Sequence, residues 1–252
     1  MLMLIVTFTA LGVGGATVIG ALLGFLLKDV SEKFSKIFLA FASGIMLSAA
    51  VFGLILPSLE YGGKLSLLIT VFGIFMGALC LNLIDKLTPH LHKLIGTDIE
   101  EHKSTNLNKV LLFVIAIAIH NLPEGIAAGV GFGTDNQTYG IFIAIGIALQ
   151  NIPEGMVIIA PMINSGVSKK KTFLIASLTG LIEVIGTFLG YFAVKIATVI
   201  LPFALAFAGG TMLYVVSDEM IPETHADGNK RGVTYSLLIG FCLMLMLDVL
   251  LG

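Results

Sequence analysis

Tryptophan is absent from this chain of 252 residues, cysteine occurs twice, and charged residues make up only 12% of it. So little charge, beside 57% hydrophobic residues and a mean hydropathy of +1.02, excludes an ordinary soluble domain and points to a membrane protein. Without tryptophan, any interfacial aromatic belt falls to tyrosine, and Tyr61, Tyr139, Tyr191 and Tyr235 lie near the ends of apolar runs. Cys80 and Cys242 both fall inside such runs, which favours buried free thiols over a disulfide. No basic residue precedes Lys28, so the charged leader of a signal peptide is missing and the first run reads as a retained helix. A net charge of -2 with no basic patch gives no footing for nucleic acid.

What is present is a series of eight apolar runs, at about 2–27, 34–59, 64–85, 109–132, 138–163, 171–195, 198–222 and 232–251, each long enough to cross a bilayer. They form one polytopic domain over 1–252. With the N-terminus outside, every Lys and Arg except Lys64 and Lys195 falls on the inner side, which places both termini outside and the chain in the cell (inner) membrane. The long 86–108 connection is then cytoplasmic. Its His90, His92, Asp98, Glu100, Glu101 and His102 read first as a solvated mixed-charge loop and only second as a transient metal site.

Two of the runs carry nearly the same motif, His120-Asn121-Leu122-Pro123-Glu124-Gly125 and Gln150-Asn151-Ile152-Pro153-Glu154-Gly155. Charged groups at such a depth face a cavity or a partner. His120 and Glu124, like Gln150 and Glu154, are four residues apart, so each pair stacks on one helix face about 6 Å apart. The proline between them removes an N–H and loosens the carbonyls of Ile119 and Leu149. Two interrupted helices at one depth, each with a carboxylate, predict a cation site at their crossing. His120, Gln150, Glu183 and Met46 each lie roughly 16 Å into their runs, close to the midplane of an approximately 30 Å hydrocarbon core. Glu60 falls at the outer end of the second run and Asp218 and Glu219 near the inner end of the seventh, which outlines a cation path.

The two motifs occupy consecutive, antiparallel runs. A fainter echo links Ser43-Gly44-Ile45-Met46-Leu47, with Pro57 beyond, to Gly209-Gly210-Thr211-Met212-Leu213, with Pro222 beyond. Together they predict three helices, a central pair and three inverted helices, a 3+2+3 all-α membrane architecture. Glycine pairs at four-residue spacing, Gly20/Gly24, Gly73/Gly77, Gly125/Gly129 and Gly186/Gly190, predict close helix approach.

Imidazole and thioether among carboxylates favour a transition metal over Mg²⁺ or Ca²⁺, with Zn²⁺ first and Fe²⁺, Mn²⁺, Co²⁺ or Cd²⁺ behind it. Ligands must be free of protons to bind, so metal binding is expected to release protons and to weaken on acidification. Each residue also has a plainer reading. A methionine such as Met46 is ordinarily core filling, and Asn121 and Asn151 fit equally well as donors to carbonyls freed by the prolines. Glu124, Glu154 and Glu183 are of a kind that also serves as helix-to-helix hydrogen-bonding groups. The ion is expected to be cargo rather than a cofactor, and the protein no enzyme. The alternative is an intramembrane zinc hydrolase, against which stands a single membrane histidine in the order H-x-x-x-E instead of HExxH.

HNLPEG on the fourth run, QNIPEG on the fifth, Glu183 on the sixth and Ser217 to His225 (SDEMIPETH) closing the seventh resemble the ZIP family of divalent metal transporters, nearest its bacterial GufA-like branch. The resemblance implies an eight-helix 3+2+3 fold, termini outside, homodimers, and Zn²⁺ uptake into the cytoplasm by alternating access. It implies a first metal site from His120, Glu124, Gln150, Glu154 and Met46, and a second from Asn121, Asn151 and Glu183 with Glu124 bridging. Glu60 would stand at the entrance and Asp218, Glu219 and His225 along the exit. Asn151 stands where some members have aspartate, and Gln150 where other branches have histidine; both departures alter the donors offered to an ion.

Overall fold

In the computed structural model, the described residues are 1–26, 32–87, 119–134, 137–164, 166–226 and 230–251. All regular elements among them are helical. In chain order they are α1 (Leu2–Leu26), α2 (Glu32–Ala50, a π-helical turn Val51–Ile55, then Leu56–Tyr61), α3 (Ser66–Leu87) and α4 (119–130). There follow α5 (Gln137–Val157, extended by Ile159–Asn164), α6 (Lys169–Ile196), α7 (Leu201–Val215, a π-helical turn Val216–Met220, then Ile221–His225) and α8 (Lys230–Leu251). Seven of these are long and apolar enough to cross a bilayer, and α4 is described only from Ile119. His90, His92, Asp98, Glu100, Glu101 and His102 lie outside the described residues.

The placement of side chains is inside-out relative to a water-soluble bundle. On α1 the large residues Leu4, Phe8, Leu11, Ile19 and Leu22 are exposed, while Ala10, Gly14, Thr17, Gly20, Ala21 and Gly24 are buried. In lipid there is no gain from hiding leucine, so small residues take the helix contacts and let backbones approach. All four glycine pairs do so. Gly20 and Gly24 of α1 meet the α5 backbone at Ile152 and Met156, and Gly73 and Gly77 of α3 meet α7 at Phe203 and Phe207. Gly125 and Gly129 of α4 meet Glu183 and Thr187 of α6, which returns the contact through Gly186 and Gly190 against Leu122 and Ile126. Close packing therefore joins α1, α4, α5 and α6 on one side, and α2 with α8 and α3 with α7 on the other. Between the two groups lies an apolar core that includes Ile45, Met46, Phe142, Ile143, Leu205 and Met212.

The two π turns have a common cause. In α2 the N–H of Leu56 bonds to the Val51 carbonyl, five residues back; Pro57, next in line, has no N–H for the Phe52 carbonyl. Tyr139 of α5 fills that gap, its hydroxyl donating to Phe52 at 2.8 Å. In α7 the N–H of Ile221 likewise reaches the Val216 carbonyl, one residue before Pro222. Two tight turns use a positive φ that only glycine adopts without strain, at Gly63 (φ 60) and Gly166 (φ 84). After the second, Ser168 caps α6 by accepting from the Lys171 N–H at 3.4 Å.

Both cysteines are free. Cys80 is half-buried, whereas Cys242, expected to be buried, is exposed on the outward side of α8. A cavity of about 470 Å³ lies between α3, α4, α6 and α7. Its wall is apolar and includes Ile119, Leu122, Pro123, Ile182 and Phe207.

Candidate metal centre

Glu124 sits on α4 with both carboxylate oxygens buried and without a hydrogen-bond partner, and Gln150 on α5 has both polar atoms in the same condition. An unpartnered buried carboxylate costs several kcal/mol in effective terms, so such atoms await a ligand. The charges of Glu154 and Glu183 reach Glu124, and those of His120 and Glu219 reach Glu154. Gln150 lies beside Glu124 without closing a well-formed hydrogen bond. Helix α5 continues through Pro153 and weakens one turn later, where the Ile158 N–H meets the Glu154 carbonyl only at 3.4 Å.

His120, one turn before Glu124, has Nε2 at 2.9 Å from Glu219 Oε1. The two side chains are 21% and 23% exposed, whereas Glu124 is buried. Glu219, placed by sequence along an inner exit, therefore reaches back to the centre. It lies in the π turn of α7, whose extra residue rotates the following side chains relative to an α-helix.

Glu183 of α6 is fully buried, and both of its oxygens are hydrogen-bonded. Its Oε1 accepts from Thr17 Oγ1 of α1 at 2.6 Å and from Asn121 Nδ2 of α4 at 2.5 Å; its Oε2 accepts from Asn151 Nδ2 of α5 at 2.5 Å. Asn121 and Asn151, whose oxygens the family resemblance assigns to an ion, thus turn their nitrogens to Glu183. Thr17 was not among the residues expected here, although a buried threonine on a glycine-lined helix face is the signal that marks it. Asn151 Oδ1 is left buried and unpartnered. Ser48 Oγ of α2 is unpartnered as well; it lies one turn beyond Gly44, on the face that packs against Leu237 of α8.

Met46 is buried in the apolar core between the two groups of helices. At the ends of the helices, Glu60 is exposed close to Tyr139, and Asp248 on α8 is half-buried near the same tyrosine. Asp218 is exposed, and His225 donates from Nδ1 to the Ile221 carbonyl at 2.9 Å, with Nε2 at 3.5 Å from Thr234. Among the described residues, no three His, Cys, Asp or Glu side chains close around a single point. His120 pairs with Glu219, Gln150 lies beside Glu124, and Asn151 meets Glu183 through its amide nitrogen.

Residues 93–248 match the family model described as the ZIP zinc transporter. The chain belongs to the ZIP family. This ZIP chain is 39% identical to the zinc transporter GufA of Myxococcus xanthus over 245 residues, covering 95% of the chain and 96% of that relative. It is 36% identical to the zinc transporter ZIPB of Bordetella bronchiseptica, covering 94% and 78% respectively, and 36% identical to the zinc transporter ZupT of Chlorobaculum parvum, covering 94% of each. The ZIP assignment agrees with the helical, multi-pass membrane architecture and with the two PEG motifs on α4 and α5.

Proposed function

We propose that this protein carries divalent transition-metal ions, Zn²⁺ foremost, across the cell membrane into the cytoplasm by exposing a midplane site on α4, α5 and α6 alternately to each side. The observation that supports it most directly is Glu124, whose two buried oxygens lack partners within reach of Glu154, Glu183 and Gln150. Nitrogen and oxygen donors of this kind suit Zn²⁺, and Fe²⁺, Mn²⁺, Co²⁺ or Cd²⁺ less selectively. The relatives named as zinc transporters support the same cargo.

In this reading His120, Glu124, Gln150 and Glu154, with Met46 behind them, receive the ion. Glu60 stands at the outer entrance, and Asp218 and His225 follow Glu219 toward the cytoplasm. The matching π turns before Pro57 and Pro222 support an inverted relation between α2 and α7, and with it a 3+2+3 arrangement. The single domain has both termini outside, the 86–108 loop in the cytoplasm, and pairs as a homodimer. The ion is cargo, and no catalytic role is assigned.

The test is Zn²⁺ entry into liposomes holding the purified protein, with Glu154→Ala alongside. Saturable entry in wild type that falls to the rate of empty vesicles in the variant supports the carrier. Wild-type vesicles indistinguishable from empty ones reject it and would bring the hydrolase reading forward.

A further inference from the structure

We infer that this chain holds one ion at the membrane centre and not two, because Asn121 and Asn151 occupy with amide hydrogens the place beside Glu183 that a second cation would take. The inference rests on the carrier reading above and fixes its stoichiometry.

Both carboxylate oxygens of Glu183 are already engaged: Thr17 and Asn121 donate to Oε1, and Asn151 to Oε2. The orientation of the Asn151 amide is fixed from two sides. Its nitrogen donates to Glu183 Oε2 and also to the Val13 carbonyl of α1 at 3.2 Å. Turning the amide over would set Oδ1 against two acceptors and lose both bonds. A cation at coordination distance from Glu183 Oε2 would stand against the Asn151 amide hydrogens, whose partial positive charge repels it and offsets part of the carboxylate's attraction. The contrast with Glu124 decides between the two positions, because neither of its oxygens is engaged.

Glu183 is therefore a positioning residue. By accepting from α1, α4 and α5 while carried on α6, it holds the four helices in one register around the ion that Glu124 receives. Aspartate at position 151 would reverse this: it has no N–H to give, adds a second carboxylate, and leaves Glu183 Oε2 open to a metal.

The experiment counts Zn²⁺ per chain on purified protein after equilibrium dialysis against excess Zn²⁺, by elemental mass spectrometry. The count is taken relative to the Glu124→Ala/Glu154→Ala double variant, which removes ions bound elsewhere from the sum. Wild type is expected to bind one ion and Asn151→Asp two. Asn121→Asp, which removes one of the two donors on Oε1, leaves Thr17 on it and adds a carboxylate beside it, gives an independent second ion should Asn151→Asp fail to yield monodisperse protein. Two ions in wild type, or one ion in a well-folded aspartate variant, overturn the inference. No ion in wild type sinks the carrier reading itself, an outcome distinct from either.

Discussion

His120 of α4 and Glu219 of α7 meet at 2.9 Å across 99 residues of chain, and they join the helix group that contains Glu183 to the group that contains Met46. This contact engages a ring nitrogen of His120, which stands one turn before Glu124. A carboxylate on a ligating imidazole orients the ring and raises its basicity. Glu219→Gln keeps the size and removes the charge, and is expected to lower Zn²⁺ uptake about 10- to 100-fold. Vesicle uptake with unchanged rates would show the contact to be incidental.

A second expectation concerns the fit of α4 against α6. A Cβ on Gly125 would run into the backbone of Glu183, and that backbone has no flexible end to move aside. Gly125→Ala is expected to push the helices apart, costing about 1–3 kcal/mol, and to strain the Asn121 to Glu183 bond. Thermal unfolding in detergent measures the loss; a variant as stable as wild type would mean the helices are less closely held than described.

Tyr139 offers a test at the other end of α5. Its hydroxyl serves the Phe52 carbonyl that Pro57 cannot, so Tyr139→Phe leaves a part-buried carbonyl without a donor. A destabilisation of about 1–3 kcal/mol is expected, and Pro57→Ala in the same background should restore part of it by returning an N–H to the turn. If the two substitutions simply add, the proposed shared carbonyl is not the link between them.

The proton dependence of binding has a definite sign. Carboxylates and imidazole bind metal only when unprotonated, so protons compete with the ion and acidification weakens binding. Each proton released on binding steepens the dependence by on the order of tenfold per pH unit. Zn²⁺ isotherms collected between about pH 5 and 8 should shift toward higher concentration as pH falls. Superimposable curves would show that no central ligand exchanges a proton for the metal.

Composition and the spacing within each motif go a long way on their own. A chain with 12% charge and long apolar runs has to be a bundle of membrane helices, because an unpaired backbone group has no partner in lipid. His120 and Glu124 share a face for the same local reason, since four residues make about one helical turn. The glycine pairs were equally legible, because a missing side chain marks close approach before the neighbour is known. The partners themselves were not legible. Nothing near Glu183 in sequence indicates that Thr17 and the nitrogens of Asn121 and Asn151 surround it, and nothing near Glu219, in the π turn of α7, indicates that it meets His120.

The sequence by itself determined the membrane class, the family, and the two helix faces that carry His120 with Glu124 and Gln150 with Glu154. Those are consequences of local periodicity and of the energy of polar groups in hydrocarbon. Tertiary structure decided which donor meets which acceptor between helices. That choice depends on how each helix is rotated about its axis, and packing of glycine against backbone and two π turns set those rotations over distances local periodicity does not span.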